Sequence, residues 1–292
     1  MQRYDLIEKY IDKRGHGVEI GPSHNPIAPK RAGFKVDIID HTDRSGLLEK
    51  YKEHGVNLDN IEEVDFIWSG EKYSEITGRS RYYDWVIASH VIEHVPDFIS
   101  FINGCHEILN GRGVLILAVP DSTRCFDYFR QITSISGIID AHISGNKIHT
   151  VGTAVDHVLN VCTMDGNITW NTMSNGEFRF MHSMSDAKSH FEQAAEGVTY
   201  LDYHAWCFTP HSFRILIEDL YNLGLICVRE VTFIPTDGFE FFIVLGGKGE
   251  GPKQSRLQMM KKMKREIAQE KTVIKQLYFS LLRLRNRFVR RA

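Results

Sequence analysis

Short apolar runs and longer stretches with helical spacing alternate along the first part of the chain. The apolar runs predict strands at residues 18–20, 34–39, 61–64, 85–88 and 114–119. Helical spacing of apolar positions predicts helices over residues 45–54 and 98–109, between those strands. Such alternation with apolar strands is typical of a parallel sheet that helices cover on both faces. We therefore expect an α/β fold with a doubly wound, mostly parallel sheet.

The strand–helix alternation stops near residue 122 and does not resume before residue 205. Within residues 122–205 the spacing predicts helices over 126–139 and 155–162, separated by polar stretches that are rich in histidine. We interpret this segment as an insertion over the strand ends, where ligands bind in open α/β sheets.

The alternation returns with a helix for which Thr209 suits the N-cap and Pro210 the first helical position. This helix is expected to end at Gly224. Apolar runs at residues 227–234 and 239–245 then predict an antiparallel pair of strands.

The first two predicted strands end in residues that suit the binding of a nucleoside. The first strand runs into Gly21, and the second ends in Asp40. A glycine lets the backbone approach a ligand closely, and a carboxylate at the second strand end can accept hydrogen bonds from two ribose hydroxyls. A purely structural role stays open, because glycine ends many strands and aspartate caps many helices.

Further residues in the same order strengthen the nucleoside hypothesis. Asp65 and Phe66 follow the third predicted strand, where an adenine can find an acceptor and an apolar face. The segment 83–97, Tyr-Asp-Trp-Val-Ile-Ala-Ser-His-Val-Ile-Glu-His-Val-Pro-Asp, then contains a strand that runs into a His/Glu-rich turn. Together these motifs resemble those of class I S-adenosylmethionine-dependent methyltransferases. The resemblance covers about residues 15–125 and extends, more weakly, to residues 208–224.

The resemblance implies a seven-stranded sheet and S-adenosylmethionine as cofactor. The residues implied to contact the cofactor lie in the motifs quoted above, and they are Glu19, Gly21, Asn25, Asp40, Asp65, Phe66, Ser89, His90 and His94. The turn at residues 21–26 resembles a branch found among bacterial methyltransferases of surface-polysaccharide clusters. That likeness implies a glycan or sugar-bearing acceptor.

The glycine turn departs from the usual Gly-x-Gly-x-Gly pattern of the family. Ser23 and Asn25 occupy the second and third glycine positions. A pyrophosphate needs those close backbone approaches more than a methionine tail does. The departure therefore argues against a nicotinamide dinucleotide and is compatible with S-adenosylmethionine.

Methyl transfer to a hydroxyl also needs a base, or a metal that lowers the pKa of the hydroxyl. His90, Glu93 and His94 would share one face of a helix. In some related methyltransferases a Glu-x-x-Glu-His at this place binds magnesium, whereas here the first position is His90, a softer ligand. A divalent metal on these three residues is one expectation, and a mere lining role in the cofactor pocket is the other.

Histidines of the predicted insertion are the candidates for a base on the acceptor side. His157 follows Asp156, and His204 follows Asp202 by two positions, so a carboxylate can orient each imidazole or raise its basicity. Adjacent helical residues do not face one another, which makes the Asp156–His157 pairing the weaker of the two. We therefore predict catalytic roles for His157, His204 and Asp202.

Composition and charge narrow the range of partners and locations. The chain is 42% hydrophobic and 25% charged, and its apolar runs are too short to span a bilayer. The five cysteines are scattered, which suggests a reducing compartment and a cytoplasmic protein. The formal net charge is −2, but residues 1–251 carry −13 and residues 252–292 carry +11. The negative charge of residues 1–251 would repel the phosphate backbone of a nucleic acid, so no nucleic-acid partner is expected.

The basic C-terminal segment, residues 252–292, is predicted to form a helix outside the methyltransferase domain of residues 1–251. A seven-residue apolar repeat favours a coiled coil, and its members are Met260, Met263, Ile267, Ile274, Leu277, Leu281, Leu284 and Phe288. The positive charge favours an anionic counterpart, which can be the acidic body, an acidic partner protein or the inner membrane surface. Two further hypotheses are self-pairing into a homo-oligomer and a solvated helix without a partner.

The function expected from the sequence is O-methylation of a glycan or sugar-bearing acceptor. A small-molecule methyltransferase of quinone or natural-product type is the second enzymatic hypothesis. A non-catalytic scaffold with a methyltransferase-like body is the hypothesis from another functional class, and cofactor binding separates it from both enzymes.

Overall fold

The computed structural model describes residues 10–171, 176–197 and 200–268. The strands are β1 (His16–Ile20), β2 (Lys35–Asp40), β3 (Phe66–Ile67), β4 (Tyr83–Ser89), β5 (Leu109–Pro120), β6 (Cys162–Met164), β7 (Phe178–Phe180), β8 (Arg229–Asp237) and β9 (Glu240–Gly246). The helices are α1 (Arg44–Tyr51), α2 (Tyr73–Thr77), α3 (Phe98–Ile108), α4 (Ile135–Ile143), α5 (Val151–Asn160), α6 (Met184–Ala195), α7 (Pro210–Asn222) and α8 (256–268). Short 3₁₀ turns lie at Lys30–Ala32, Leu58–Asn60 and Ser122–Arg124.

Seven strands form one sheet in the order β3-β2-β1-β4-β5-β9-β8. The pairs from β3 to β5 are parallel, whereas β9 is antiparallel to both β5 and β8. This is the doubly wound, mostly parallel seven-stranded α/β sheet that the sequence predicts for a Rossmann-like methyltransferase. The predicted antiparallel strand pair near the end of the sheet is confirmed as β8 and β9.

Apolar residues of the central strands pack on both faces of the sheet. In β4, Val86 and Ala88 belong to one buried cluster, and Trp85 and Ile87 belong to the other. The first cluster also holds the apolar side of α3, including Phe98 and other residues that are fully buried. Burial on both faces explains why these strands are continuous apolar runs rather than alternating ones.

Two predicted elements lie elsewhere in the structure. The sequence predicts the third strand at 61–64, but only Phe66–Ile67 pairs with β2, so Asp65 precedes that strand rather than follows it. The helix predicted over 126–139 begins only after its N-cap, Ser134. Phe126 explains the difference, because its N–H donates to the Ile168 carbonyl and its carbonyl accepts from the Cys162 N–H. These cross-chain bonds replace the bonds of a helical turn.

Residues 122–205 contribute no strand to the main sheet in the part of them that is described. Their strands, β6 and β7, pair with each other in a separate two-stranded sheet. Helices α5 and α6 pack through Ala154, Val158 and Ala187, with Tyr203 against them. The predicted helix near 155–162 is confirmed, with its N-terminus four residues earlier.

Helix α7 begins as the sequence predicts. The Thr209 hydroxyl accepts a hydrogen bond from the Ser212 N–H, the Ser212 hydroxyl bonds back to the Thr209 N–H, and Pro210 occupies the first turn. Inside the helix, Arg214 donates to both carboxylate oxygens of Glu230 on β8, at 2.7 and 2.8 Å, and both side chains are buried. A buried bidentate pair of this kind fixes how the helix sits on the edge of the sheet.

The basic C-terminal segment starts with a helix that packs on the body of the protein. Arg256 of α8 donates to the Asp219 carboxylate, and Met259 is fully buried. The Glu266 carboxylate accepts the His211 backbone N–H at 3.1 Å and also bonds to its ring. The first turns of the tail therefore dock on the protein itself.

The buried face of α8 differs from the predicted heptad seam. Met259 is the fully buried residue, whereas the seam positions Met260 and Met263 are only half-buried and Ile267 is exposed. The remaining seam positions, Ile274, Leu277, Leu281, Leu284 and Phe288, lie outside the described residues. Across the described residues, the protein contains no helix of the length and apolarity that a bilayer crossing requires.

Candidate functional site

The candidate site lies where the strand order of the sheet reverses. From β1 the chain proceeds to β2 on one side, and its later strand β4 lies on the other side of β1. Ligands of doubly wound sheets bind in the crevice outside the carboxyl ends of the strands at such a switch point. The residues that follow β1 and β4, Gly21 and His90, flank this crevice.

The turn after β1 has a backbone that suits close approach. Gly21 has φ +62°, and its N–H donates to the Ile39 carbonyl at 2.8 Å. A Cβ atom at this position would lie 3.0 Å from Val91 Cγ2, which leaves little space for a side chain. Ser23, at the second glycine position of the family pattern, keeps a left-handed backbone with φ +56°. The turn thus retains the shape of a glycine turn although serine replaces the glycine.

Glu19 shapes the loop that follows this turn. Its side chain is buried, and its two carboxylate oxygens accept the N–H groups of Ile27 at 2.7 Å and Ala28 at 3.0 Å. The carboxylate therefore folds residues 22–26 back against β1. The Asn25 N–H donates to the Pro22 carbonyl within this loop, and the Asn25 side chain is exposed.

Asp40 connects the end of β2 to the turn after β1. It is buried, its Oδ2 accepts the Ser23 N–H at 3.1 Å, and its Oδ1 accepts the His41 N–H at 2.8 Å. The His41 ring lies 2.6 Å from the same Oδ1. The predicted ribose-binding carboxylate is thus at the expected place, next to the glycine turn, and its cofactor contact stays a prediction.

Asp65 lies just before β3, opposite Ile38 of β2, and Phe66 is the first residue of β3. Asp65 Oδ2 accepts the Ile38 N–H at 2.7 Å and Lys30 Nζ at 2.6 Å, so this carboxylate is already engaged by the body of the protein. Phe66 is partly buried against the main hydrophobic cluster. An adenine contact of these two residues stays a prediction.

His90 follows Ser89, the last residue of β4, and its backbone is left-handed with φ +54°. Its Nε2 lies 2.7 Å from the Glu240 carboxylate, and its Nδ1 lies 3.4 Å from that of Glu93. Burial opposes protonation, but the two carboxylates outweigh it and raise the pKa of His90 to about 9. The imidazole is therefore cationic at neutral pH and is turned toward the start of β9.

Glu93 and His94 lie just beyond, in the turn between β4 and α3. The Glu93 side chain is fully buried, and within the described residues neither carboxylate oxygen has a partner in hydrogen-bond geometry. Burial opposes its ionisation, yet the His90 imidazole and the neighbouring histidines hold the pKa of Glu93 below its usual value. His94 Nδ1 lies 2.8 Å from Asp202, and despite burial the carboxylates of Asp202 and Glu93 raise the pKa of His94.

His204 reaches this cluster from the far end of the predicted insertion. Its Nδ1 bonds to Asp127 at 2.5 Å, and its Nε2 lies 4.0 Å from Glu93. Arg130 donates to Asp127 at 2.9 Å and, through its Nε, to Asp156 at 2.9 Å. Burial opposes ionisation of Asp127, but His204 and Arg130 outweigh it and hold the pKa of this carboxyl below its usual value.

The structure corrects the predicted pairing of histidines with aspartates. The sequence predicts that Asp202 orients His204, but the Asp202 carboxylate faces His94, and Asp127 takes its place beside His204. Asp156 is bound to Arg130 rather than to His157.

His157 and His204 are nevertheless brought together, with ring centroids 6.0 Å apart. Burial lowers the pKa of His157 to about 3 and that of His149 to about 4, so both imidazoles are neutral at pH 7. The catalytic roles predicted for His157, His204 and Asp202 stay predictions.

Several residues of the cluster carry no signal in the sequence. Asp127 lies in a segment that the sequence predicts as helical, and Glu240 is 150 positions from its partner His90. His149 is one of many histidines, and only the structure shows that both of its ring nitrogens are buried without a hydrogen-bond partner among the described residues. Trp170 and Trp206, two aromatic residues whose type suits stacking on sugar rings, are buried core residues instead.

The chain's sequence matches no protein-family model and no curated protein. Among solved structures, it is similar to a SAM-dependent methyltransferase from Methanosarcina mazei, at 11% identity and a TM-score of 0.42, over 86% of this chain and 100% of that chain. A SAM-dependent methyltransferase from Aquifex aeolicus shares 9% identity at a TM-score of 0.40, over 82% and 87% of the two chains. A protein named as a Zn-dependent alcohol dehydrogenase from Rhodobacter sphaeroides shares 12% identity at a TM-score of 0.44, over 83% and 87%. These likenesses are too distant to carry a function, and the fold class rests on the strand order.

Proposed function

We propose that the protein is an S-adenosylmethionine-dependent O-methyltransferase that acts on a glycan or sugar-bearing acceptor. The observation that carries the proposal is the juxtaposition of Gly21, Asp40 and the His/Glu cluster after β4 at the switch point of the sheet. A tight turn beside a buried carboxylate suits a nucleoside, and the adjacent imidazoles suit the chemistry of a hydroxyl.

The residues of the crevice fit the proposed cofactor. Gly21 keeps the turn free of a side chain where a Cβ atom would press on Val91 at 3.0 Å, and the Asp40 carboxylate lies at the end of the neighbouring strand. When bound, S-adenosylmethionine supplies a methyl group on a positively charged sulfur. The acceptor oxygen forms a bond to that methyl carbon, the carbon–sulfur bond breaks with its electron pair going to sulfur, and S-adenosylhomocysteine leaves.

The chain's own residues can position the acceptor and take its proton. His157 lies beside His204 and is neutral at pH 7, so its imidazole can accept a hydrogen bond from the acceptor hydroxyl. Its pKa of about 3 makes it a weak base, so it takes the proton only as the new carbon–oxygen bond makes the hydroxyl strongly acidic. The metal that the sequence predicts on His90, Glu93 and His94 is not part of the proposal, because the His90 ring bonds to Glu240.

Exposed aromatic rings in the 122–205 segment support a sugar-bearing acceptor. Tyr128 and Phe178 stack with ring centroids 4.7 Å apart, and Phe129 and Phe180 beside them are exposed. Aromatic faces of this kind pack well against the C–H faces of sugar rings. A closed, apolar pocket would instead suit a quinone-type acceptor.

Calorimetric titration with S-adenosylmethionine tests the cofactor, with Asp40→Ala as the variant and the exposed Asp59→Ala as its matched control. We expect binding by the natural chain and the control, and binding weaker by at least about tenfold, or about 1.4 kcal/mol, in Asp40→Ala. Absence of binding by the natural chain would refute the enzyme and favour the scaffold. Transfer of a tritiated methyl group to lipid-linked or free glycan, against a phenolic acceptor, then decides the acceptor class.

The partner and location proposals concern the basic tail. The contacts of α8 support docking of its first turns on the protein's own body. For residues 269–292 we propose one of three roles, which are attachment at the inner membrane surface, binding of an acidic partner protein and homo-oligomerisation. Removing these residues should change vesicle sedimentation or the mass measured by light scattering, with cofactor binding unchanged. If the natural protein and the protein without residues 269–292 give the same vesicle sedimentation and the same mass, all three roles are excluded.

A further inference from the structure

Glu93 is a buried carboxylate whose two oxygens accept no hydrogen bond in the described part of the chain. The nearest cationic group, the His90 imidazole, lies 3.4 Å from Oε1 but outside hydrogen-bond geometry. A buried carboxylate without hydrogen bonds is costly, so such groups normally gain donors or bind a metal. We propose that Glu93, His94 and His204 bind a first-row transition-metal ion.

The three side chains already converge. One ligand atom from each of them lies within 4.8 Å of the other two. Two ligands that each lie about 2.1 Å from one ion can be at most about 4.2 Å apart, and Glu93 Oε1 and His204 Nε2 are 4.0 Å apart. The His94 and His204 rings are already in contact, with centroids 4.4 Å apart, so a movement of a few tenths of an ångström brings every pair of ligand atoms within that limit.

His204 is oriented in the way that metal-binding histidines are. Its Nδ1 bonds to the buried Asp127 carboxylate, which Arg130 holds in turn, so its Nε2 is the nitrogen that faces Glu93. A carboxylate on the far ring nitrogen fixes the tautomer and makes the near nitrogen a better ligand. Asp202, 2.8 Å from His94 Nδ1, supplies a second carboxylate beside the other imidazole.

The donor set selects the class of metal. Two imidazoles and one carboxylate suit zinc, iron, cobalt or manganese, whereas magnesium prefers oxygen ligands. Three protein ligands leave coordination positions open, and a metal with open positions can lower the pKa of a bound hydroxyl. This use of the ion rests on the proposed methyl transfer, but its binding does not.

The three proposed metal ligands differ from the three that the His-x-x-Glu-His motif indicates. His90 belongs to the His-x-x-Glu-His motif, but its Nε2 bonds to Glu240. His204, which lies 110 positions beyond His94, replaces it. The third ligand therefore comes from the return of the chain to the sheet, which no local spacing predicts.

Titration of the chelator-treated, full-length protein with Co²⁺ tests the site by visible absorption and calorimetry. We expect one ion per chain in the natural protein. The dissociation constant should rise by at least about 100-fold in Glu93→Gln and His204→Gln, and by about 10- to 100-fold in Asp127→Asn. His142→Gln is the matched control, because His142 also pairs with an aspartate, Asp97, at 3.0 Å and lies outside the cluster. Its affinity should equal that of the natural chain.

A second measurement does not depend on the folding of the variants. X-ray absorption of the Co²⁺-loaded natural protein should show two imidazoles and a carboxylate at about 2.0 to 2.2 Å from the ion. Absence of binding, a shell without histidine, or affinities of the folded ligand variants equal to the control would each overturn the site. Binding of S-adenosylmethionine, measured on the metal-free protein, shows separately whether the proposed function holds.

Discussion

Replacement of Glu19 by glutamine tests whether one buried carboxylate holds the loop of the candidate cofactor site. Glutamine keeps the shape of the side chain but offers only one acceptor oxygen. In the structure the two oxygens accept the N–H groups of Ile27 and Ala28 at 2.7 and 3.0 Å. In Glu19→Gln one of these N–H groups would face an NH₂ group and remain unsatisfied within the interior. Loss of a charge-assisted bond and a stranded donor should reduce the free energy of unfolding by about 3 kcal/mol.

Urea unfolding followed by circular dichroism measures that loss, and thermal unfolding should show a melting temperature lower by about 6 to 12 °C. The matched control is Glu53→Gln, because Glu53 is exposed and should leave the melting temperature unchanged. We also expect a larger dissociation constant for S-adenosylmethionine, since the loop at residues 22–26 loses its anchor on β1. A Glu19→Gln variant as stable as the Glu53→Gln control would show that the two hydrogen bonds do not hold the loop.

Three further predictions concern His149, Ser23 and the pair formed by Arg214 and Glu230. Burial lowers the pKa of His149 to about 4, against 6.5 for a free imidazole. Below pH 6.5 the unfolded chain therefore binds a proton that the folded chain does not bind. The free energy of unfolding should fall as the pH drops from 6.5 toward 4. His149→Phe should flatten the dependence of melting temperature on pH in this range, and an unchanged slope would contradict the assignment. Ser23→Gly should raise the free energy of unfolding, measured by urea unfolding, by about 0.5 kcal/mol. Glycine removes the steric strain of the left-handed backbone at φ +56°, and this gain exceeds the entropy that glycine adds to the unfolded chain. A loss of stability would show that the backbone is not strained at this position. Arg214→Met should lower the free energy of unfolding by about 3 to 5 kcal/mol, because it leaves Glu230 buried and unpaired, and the double change with Glu230→Gln should recover part of that loss. Equal losses in the single and double variants would show that the unpaired carboxylate is not the cause.

The prediction of strands succeeded where the pattern is imposed by burial on both faces of the sheet. Residues 85–88 form the centre of β4 and residues 114–119 form the C-terminal half of β5, where neighbouring strands and helices cover the apolar positions. It was wrong at 61–64, because Ile61 buries its side chain while its backbone N–H bonds to the Leu58 carbonyl in a turn rather than to a strand, and β3 is only two residues long. An apolar run reports burial, and backbone pairing is a separate property.

The helix predicted over 126–139 was wrong for a different reason. Its apolar spacing is real, but the backbone of Phe126 bonds to residues of the 162–168 region, and the Asp127 side chain bonds to His204. These partners are distant in sequence, so local spacing carries no information about them. The same limit applies to the tail, where α8 docks on α7 through Arg256 and Glu266, and Met259 is buried in place of the heptad position next to it.

The sequence by itself determined the class of the fold, the turn after β1, the carboxylate after β2 and the cap of α7. These features depend on the conformational preferences of a few adjacent residues and on apolar periodicity, both of which are local. Only the tertiary structure decided which side chains meet at the switch point. His204 reaches Glu93 and Asp127, and His90 turns to Glu240, because the packing of the 122–205 segment and the register of β9 bring distant residues within a few ångströms. Electrostatic pairing of buried groups depends on such distances, and distances between remote residues are fixed only when the whole chain has folded.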